Sequence, residues 1–209
     1  MSASSATIAA PAVRRLARPR VMAVVVAVSI AALLIVGYVG TNVWASVQQR
    51  RLQSRFDAAA AGWAKLDPAA QSAVTFAPGD PVARIVISSI GLDAIIAEGA
   101  TSGVLRRAPG HLPSSATPGE NGVAIITANR LAFGSFFLRL GRVSVGDTIV
   151  TQSVFGRTTY TVVDVQVVPA DQLDLSTDST TRALVLFASD RLWGGSDRLV
   201  VRALADQES

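Results

Sequence analysis

The sequence holds no cysteine and a single histidine, His111, among its 209 residues. Those two facts bound its chemistry before any fold is considered. Without thiols there is no disulfide, no thiolate metal site and no cysteine nucleophile. One imidazole excludes a histidine-cluster metal centre and leaves room only for an all-oxygen calcium site built from carboxylates. No cofactor is expected. A serine hydroxyl used as nucleophile would need a general base within hydrogen-bond reach.

The formal charge of +4 suggests nucleic acid until the charges are located. All 15 acidic residues follow Phe56, whereas seven of the 19 basic residues precede it, so from Phe56 onward 12 basic residues face 15 acidic ones. The body of the protein is not basic, and nucleic-acid binding loses its support. The early charges instead flank an apolar run. Val21 to Gly40 contains only apolar or small residues, with no charge between Arg20 and Arg50. Twenty such residues span a bilayer as a helix, and the run is too long for the core of a cleaved signal peptide. Arg14, Arg15, Arg18 and Arg20 in front outweigh the more distant Arg50, Arg51 and Arg55 behind. By the positive-inside rule the N-terminus is expected in the cytoplasm and the rest outside.

Behind the anchor, Val47, Arg51, Leu52, Phe56, Ala59 and Trp63 recur at helical spacing in an Ala-rich stretch, which predicts a helical stalk or spacer. Asp67-Pro68 and Pro78-Gly79-Asp80-Pro81 break it, and the folded domain is expected from Pro81. Then β-branched runs bounded by turn residues take over: Val82 to Ile87, Leu92 to Ala97, Val123 to Thr127, Thr148 to Thr151, Thr158 to Val168, Ala183 to Phe187 and Leu199 to Arg202. Phe155-Gly156 predicts a hairpin turn, and the spacing of Phe133, Phe136, Phe137 and Leu140 predicts a short helix over Ala132 to Leu140. The expected organisation is a cytoplasmic tail (1–20), a transmembrane helix (21–40), a stalk (41–80), a mainly β domain (81–204) and a short tail (205–209). Seven or so short strands mean a barrel or sandwich.

The order of motifs resembles the sortase family, most nearly its class E branch. Arg84 to Ile87, Ile90-Gly91-Leu92 and Glu98-Gly99 are similar to the family's first hairpin. Ala108-Pro109-Gly110-His111-Leu112-Pro113 and Ala116 to Gly122 are similar to its Gly- and Pro-rich approach to the catalytic histidine. That histidine follows Ile-Ala-Gly in the family; the matching stretch here is Ile126-Thr127-Ala128-Asn129-Arg130. The family's nucleophile closes a strand, and here Leu184-Val185-Leu186-Phe187-Ala188 ends at Ser189, with Arg198 opening the next strand as the family's arginine does. The resemblance covers residues 81 to 203 and implies a closed β-barrel of seven to eight strands with short helices, preceded by the membrane helix.

In that family a cysteine thiolate attacks a Thr-Gly bond in a Leu-Pro-x-Thr-Gly-like sorting signal and passes the acyl group to an amine. Ser189 and Asn129 at the cysteine and histidine positions remove both the nucleophile and its partner, because an amide neither accepts a proton nor carries charge. The resemblance therefore implies a catalytically silent homologue that binds a sorting-signal-like peptide or an envelope protein. Three residues remain as substrate-binding candidates. His111 matches a histidine the family carries besides its catalytic one, and its bland role is to stabilise a loop. Asp190 adjoins Ser189 but points to the other side of an extended segment. Arg198 retains donors for a peptide carbonyl or carboxylate, or pairs with Asp197 or Asp190. The alternative is a transpeptidase or hydrolase that uses Ser189 as nucleophile.

Overall fold

The computed structural model describes residues 19–131, 133–173, 181–189 and 197–206. Its first element is a helix, α1 (Pro19–Trp63), and the chain divides into two compact units, one up to Gly37 and one from Tyr38 onward. In the first unit the side chains of α1 are exposed, Leu33 and Leu34 to 72% and 70%. The mean hydropathy reaches 2.7. A helix this long and apolar, with nothing packed on it, is suited to crossing a membrane.

In the second unit α1 continues to Trp63, and Asp67 then caps a short helix, α2 (Pro68–Ser72), by accepting from the Ala70 N–H at 2.7 Å. Eight strands follow: β1 (Pro81–Ile87), β2 (Leu92–Glu98), β3 (Gly110–His111), β4 (Val123–Ala128), β5 (Thr148–Ser153), β6 (Gly156–Pro169), β7 (Ala183–Ser189) and β8 (Asp197–Ala205), with helix α3 (Ser102–Leu105) between β2 and β3. They close as β1-β2-β3-β4-β7-β8-β6-β5, with β5 back against β1. The pairs β2–β3 and β4–β7 are parallel and the others antiparallel. The parallel β4–β7 pair requires a long crossover, and the β5–β6 hairpin lies within it.

Every run read as a strand is one. The expected hairpin between β5 and β6 is present, but its turn is Val154-Phe155, one residue earlier than read, and Gly156, at φ 85°, is the first residue of β6, paired with Ser153. Alternation fills the interior: Ile85, Ile87, Ile96, Ile126, Ile149, Leu184 and Leu186 are all inward and fully buried. β4 is buried at all six positions, because its outward Val123 and Ile125 lie under a second apolar cluster with Val185, Val200, Leu112 and Leu173.

Three further readings need correction. The pattern missed β3, which is only two residues long. Gly110 is confined there because a Cβ would sit 2.3 Å from the Gly99 carbonyl oxygen. The helix expected over Ala132 to Leu140 is absent among the described residues of that stretch. Phe133, Gly134 and Ser135 take φ of 54°, 93° and 45°, a left-handed run incompatible with an α-helix, and only Leu140–Arg142 forms a 3₁₀ turn. Finally, residues 41–63 do more than space the domain. Val47 and Arg51 face solvent, but Ala45, Leu52 and Phe56 are buried, the latter two against Ile95, Ala97, Val104 and Ala108.

Candidate functional site

The strand register brings the singled-out positions to one rim of the barrel. Ala128, the last residue of β4, pairs with Ala188 of β7, so residues 129 and 189 are the next along two parallel neighbours. Ser189 lies opposite Arg198 of β8. Adjacent strands run about 4.8 Å apart, so the three positions occupy three consecutive strand ends. On these strands Ala128, Ala188 and Leu199 face inward, while Thr127, Phe187 and Val200 alternate with them on the outer surface. Asp190 lies outside the described residues. Arg198 is half-buried, and its Nη1 donates to the Asp197 carbonyl at 3.2 Å.

The amide of Asn129 is already engaged. Its Nδ2 donates to the Leu105 carbonyl at 2.7 Å, while the backbone carbonyl of the same residue accepts from the Phe137 N–H at 3.2 Å. Leu105 closes α3, whose terminal carbonyls have no partner within the helix. The side chain at this position therefore ties the end of β4 to α3, and the backbone bond to Phe137 closes the left-handed loop that follows.

His111 is 3% exposed, inside the protein rather than at the rim. Its Nδ1 meets Glu98 Oε2 at 2.8 Å and its Nε2 meets the Ala116 carbonyl at 2.9 Å and Ser115 Oγ at 3.2 Å. A carbonyl only accepts, so Nε2 carries the hydrogen of the Ala116 bond. Ser115 Oγ in turn donates to Leu112 and accepts from the Ile125 N–H. His111 pairs with Ile126 across β3–β4, three residues before position 129, or about 10 Å along the strand. Contact with a substrate at the rim would require breaking both ring bonds.

The Gly- and Pro-rich segment is anchored in the same way. Gly119 (φ 92°) donates to the Tyr160 hydroxyl at 2.8 Å, and a Cβ there would meet Thr158 Oγ1 at 2.8 Å. Burial raises the Tyr160 pKa, against the opposing effect of the hydrogen bond from Gly119.

Sequence reasoning missed Glu98 as the partner of His111, and it missed Asn42 and Gln49. The Gln49 amide bonds both backbone groups of Ile95, donating to its carbonyl at 3.1 Å and accepting from its N–H at 2.8 Å. Asn42 Oδ1 accepts from the Gly134 N–H at 3.1 Å. The available signal was the stripe 42, 45, 49, 52, 56, whose alternating spacing of three and four continues through two polar residues. Among the described residues no three carboxylates or imidazoles gather as a metal site.

A closed eight-stranded barrel with the ends of β4, β7 and β8 meeting at one rim is the architecture of sortase transpeptidases. The structure is similar to a Clostridium perfringens sortase D5 transpeptidase (TM-score 0.66, 24% identity, 77% of this chain and 99% of that one). It is also similar to a C. perfringens sortase C solved with the C-terminal cell wall sorting motif (TM-score 0.64, 18% identity, 74% and 99%). A lid mutant of sortase A from Corynebacterium diphtheriae aligns at 27% identity (TM-score 0.58, 64% and 74%). No curated protein matches the sequence. The sortase-domain family model matches residues 85–206, more than half of the chain, and the chain belongs to the sortase family.

Proposed function

We propose that this protein is a membrane-anchored, class E-like sortase homologue whose transpeptidase chemistry is silent, and that it binds a sorting-signal-like peptide or an envelope partner on the outer face of β4, β7 and β8. The observation that carries this reading is at position 129. Where the family resemblance calls for a proton-accepting imidazole, the side chain is an amide whose donor is held by Leu105 at 2.7 Å. A serine at 189 then has no base of the family's kind beside it. General-base assistance is worth about 10²- to 10⁴-fold, so turnover falls at least that far before the lost thiol is considered.

Binding does not share this requirement. A peptide in a groove needs shape and donors, and Arg198 supplies donors at the same rim. The sortase C solved with a sorting motif makes a peptide of that chemistry the natural first ligand to try. The arginines ahead of Val21 support an orientation with the N-terminus in the cytoplasm and the barrel outside.

The test is to incubate the full chain in detergent with Leu-Pro/Ala-x-Thr-Gly peptides while following binding and cleavage together. Affinity without cleavage is the expected result. Cleavage at ordinary sortase rates, or a serine-reagent adduct abolished by Ser189→Ala, would establish the alternative in which Ser189 is a working nucleophile.

A further inference from the structure

One cavity of the barrel unit lies where the chain enters it. A pocket of about 370 Å³ is walled by Tyr38 and Asn42 of α1, the turn Ile90 to Asp93, and the loop from Gly134 to Arg139. Tyr38 belongs to the last turn of the apolar run, which ends at Gly40, and Asn42 is about 3 Å further along the helix axis. Asn42 itself holds the loop, accepting from the Gly134 N–H and, at 3.3 Å, from Ser135 Oγ. If the run spans a bilayer, Tyr38 and Asn42 on the pocket wall lie within one helical turn of its last residue.

The lining has the character of such a boundary. Leu138 is 40% and Tyr38 48% exposed, and Trp44, on the same helix but outside the pocket, is 42% exposed; apolar and amphipathic aromatic groups of this kind are found at a membrane interface. The pocket contains one cation and one carboxylate, Arg139 and Asp93. Asp93 is neutralised by a bidentate pair with Arg84 at 2.8 and 2.6 Å. Among the described residues Arg139 pairs with no carboxylate. Arg139 is exposed and lines the pocket beside Gly91, whose ideal Cβ position lies 3.9 Å from its Nη1. A cation without a counter-charge beside exposed leucine and tyrosine matches an anionic phosphate with acyl chains behind it.

We propose that this pocket takes the headgroup of an anionic phospholipid, with Arg139 on the phosphate and Leu138 in the acyl boundary. The bound lipid would fix the rim-forming loop, which returns to Asn129 through the Phe137 N–H, against the membrane surface. This inference rests on the reading of α1 as a membrane span, but not on the silence of the site.

The wild-type chain has no cysteine, so single-cysteine labelling tests it directly in the full protein. Leu138→Cys and, at the far hairpin, Arg157→Cys carry an environment-sensitive fluorophore in nanodiscs of phosphatidylcholine with increasing phosphatidylglycerol and a headgroup-level lipid quencher. Quenching at 138 but not at 157, rising with phosphatidylglycerol, is expected. Arg139→Gln should raise the phosphatidylglycerol fraction for half-maximal quenching about fivefold. Equal quenching at the two positions, or quenching at 138 that ignores both phosphatidylglycerol and Arg139→Gln, overturns the proposal. Saturation of the same response by inorganic phosphate in detergent, with no lipid needed, overturns it as well. A chain that does not co-elute with the discs refutes the membrane span itself, and the headgroup site with it.

Discussion

At the scale of single residues, both imidazole-related positions carry structural bonds. Position 129, read as an amide unable to take up a proton, ties β4 to Leu105, and His111, the one imidazole present, forms a buried pair with Glu98. Asn129→Ala should cost about 1 kcal/mol in denaturant unfolding, the worth of one hydrogen bond, with no loss of turnover to measure. Asn129→His with Ser189→Cys should raise sorting-peptide cleavage by 10²-fold or more if the remaining rim, Arg198 included, is still organised. His111→Phe leaves the Glu98 carboxyl buried and unpaired, and should destabilise the fold by about 3 kcal/mol while peptide affinity in the surviving folded fraction is unchanged. A matching loss of affinity would instead make His111 part of the binding surface.

At the scale of elements, α1 acts as an outer layer of the barrel. β2 pairs with β3 only at Ala97 and Glu98, which leaves Ile95 with an unpaired edge that the Gln49 amide fills. Gln49→Leu removes both bonds to Ile95 and should lower stability by about 2 kcal/mol. Phe56→Ala, which empties the cluster of Ile95, Ala97, Val104 and Ala108, should cost about 3 kcal/mol or more. Melting of the two variants, each against wild type, checks both figures. The same cluster joins the last turns of α1, from Leu52 to Trp63, to α3, and α3 is tied to Asn129, so this part of the second unit and the rim form one packed body. A variant lacking residues 41–63 should therefore unfold at lower denaturant than the barrel with them, whereas a bare spacer would make no difference.

For the whole molecule, the alkaline limit follows from a buried phenol. The Tyr160 pKa is raised above 10.0, chiefly by burial, so the folded state holds this proton more tightly than the unfolded chain. Its contribution to stability is complete below pH 10 and is lost as pH rises through the higher folded value. Tyr160→Phe should flatten that part of the profile in urea unfolding between neutral pH and the alkaline limit, at the cost of the Gly119 bond at every pH. In the acid direction Asp93 is lowered, chiefly by its hydrogen bond to Arg84, and its contribution disappears as pH falls through that lowered value. The pair is about half exposed, which limits the effect to a few tenths of a kcal/mol.

Much of this was legible in the residues. Apolar length alone fixed a candidate membrane helix, because no other element leaves twenty side chains without a polar face. β-branched runs bounded by turn residues marked seven strands, since branched side chains fit the pleated, half-buried surface of a sheet. The absence of thiols closed a whole chemistry, and motif order pointed to the family. Tertiary structure alone decided the rest. The pairing β4–β7–β8 sets residues 129, 189 and 198 side by side, though 60 positions separate the first two in sequence. The left-handed turn at Phe133 to Ser135 overrides a helical spacing. Gln49 and Glu98, polar residues that composition assigns to solvent, are drawn onto or into the barrel, because each finds there a partner that would otherwise be left unbonded.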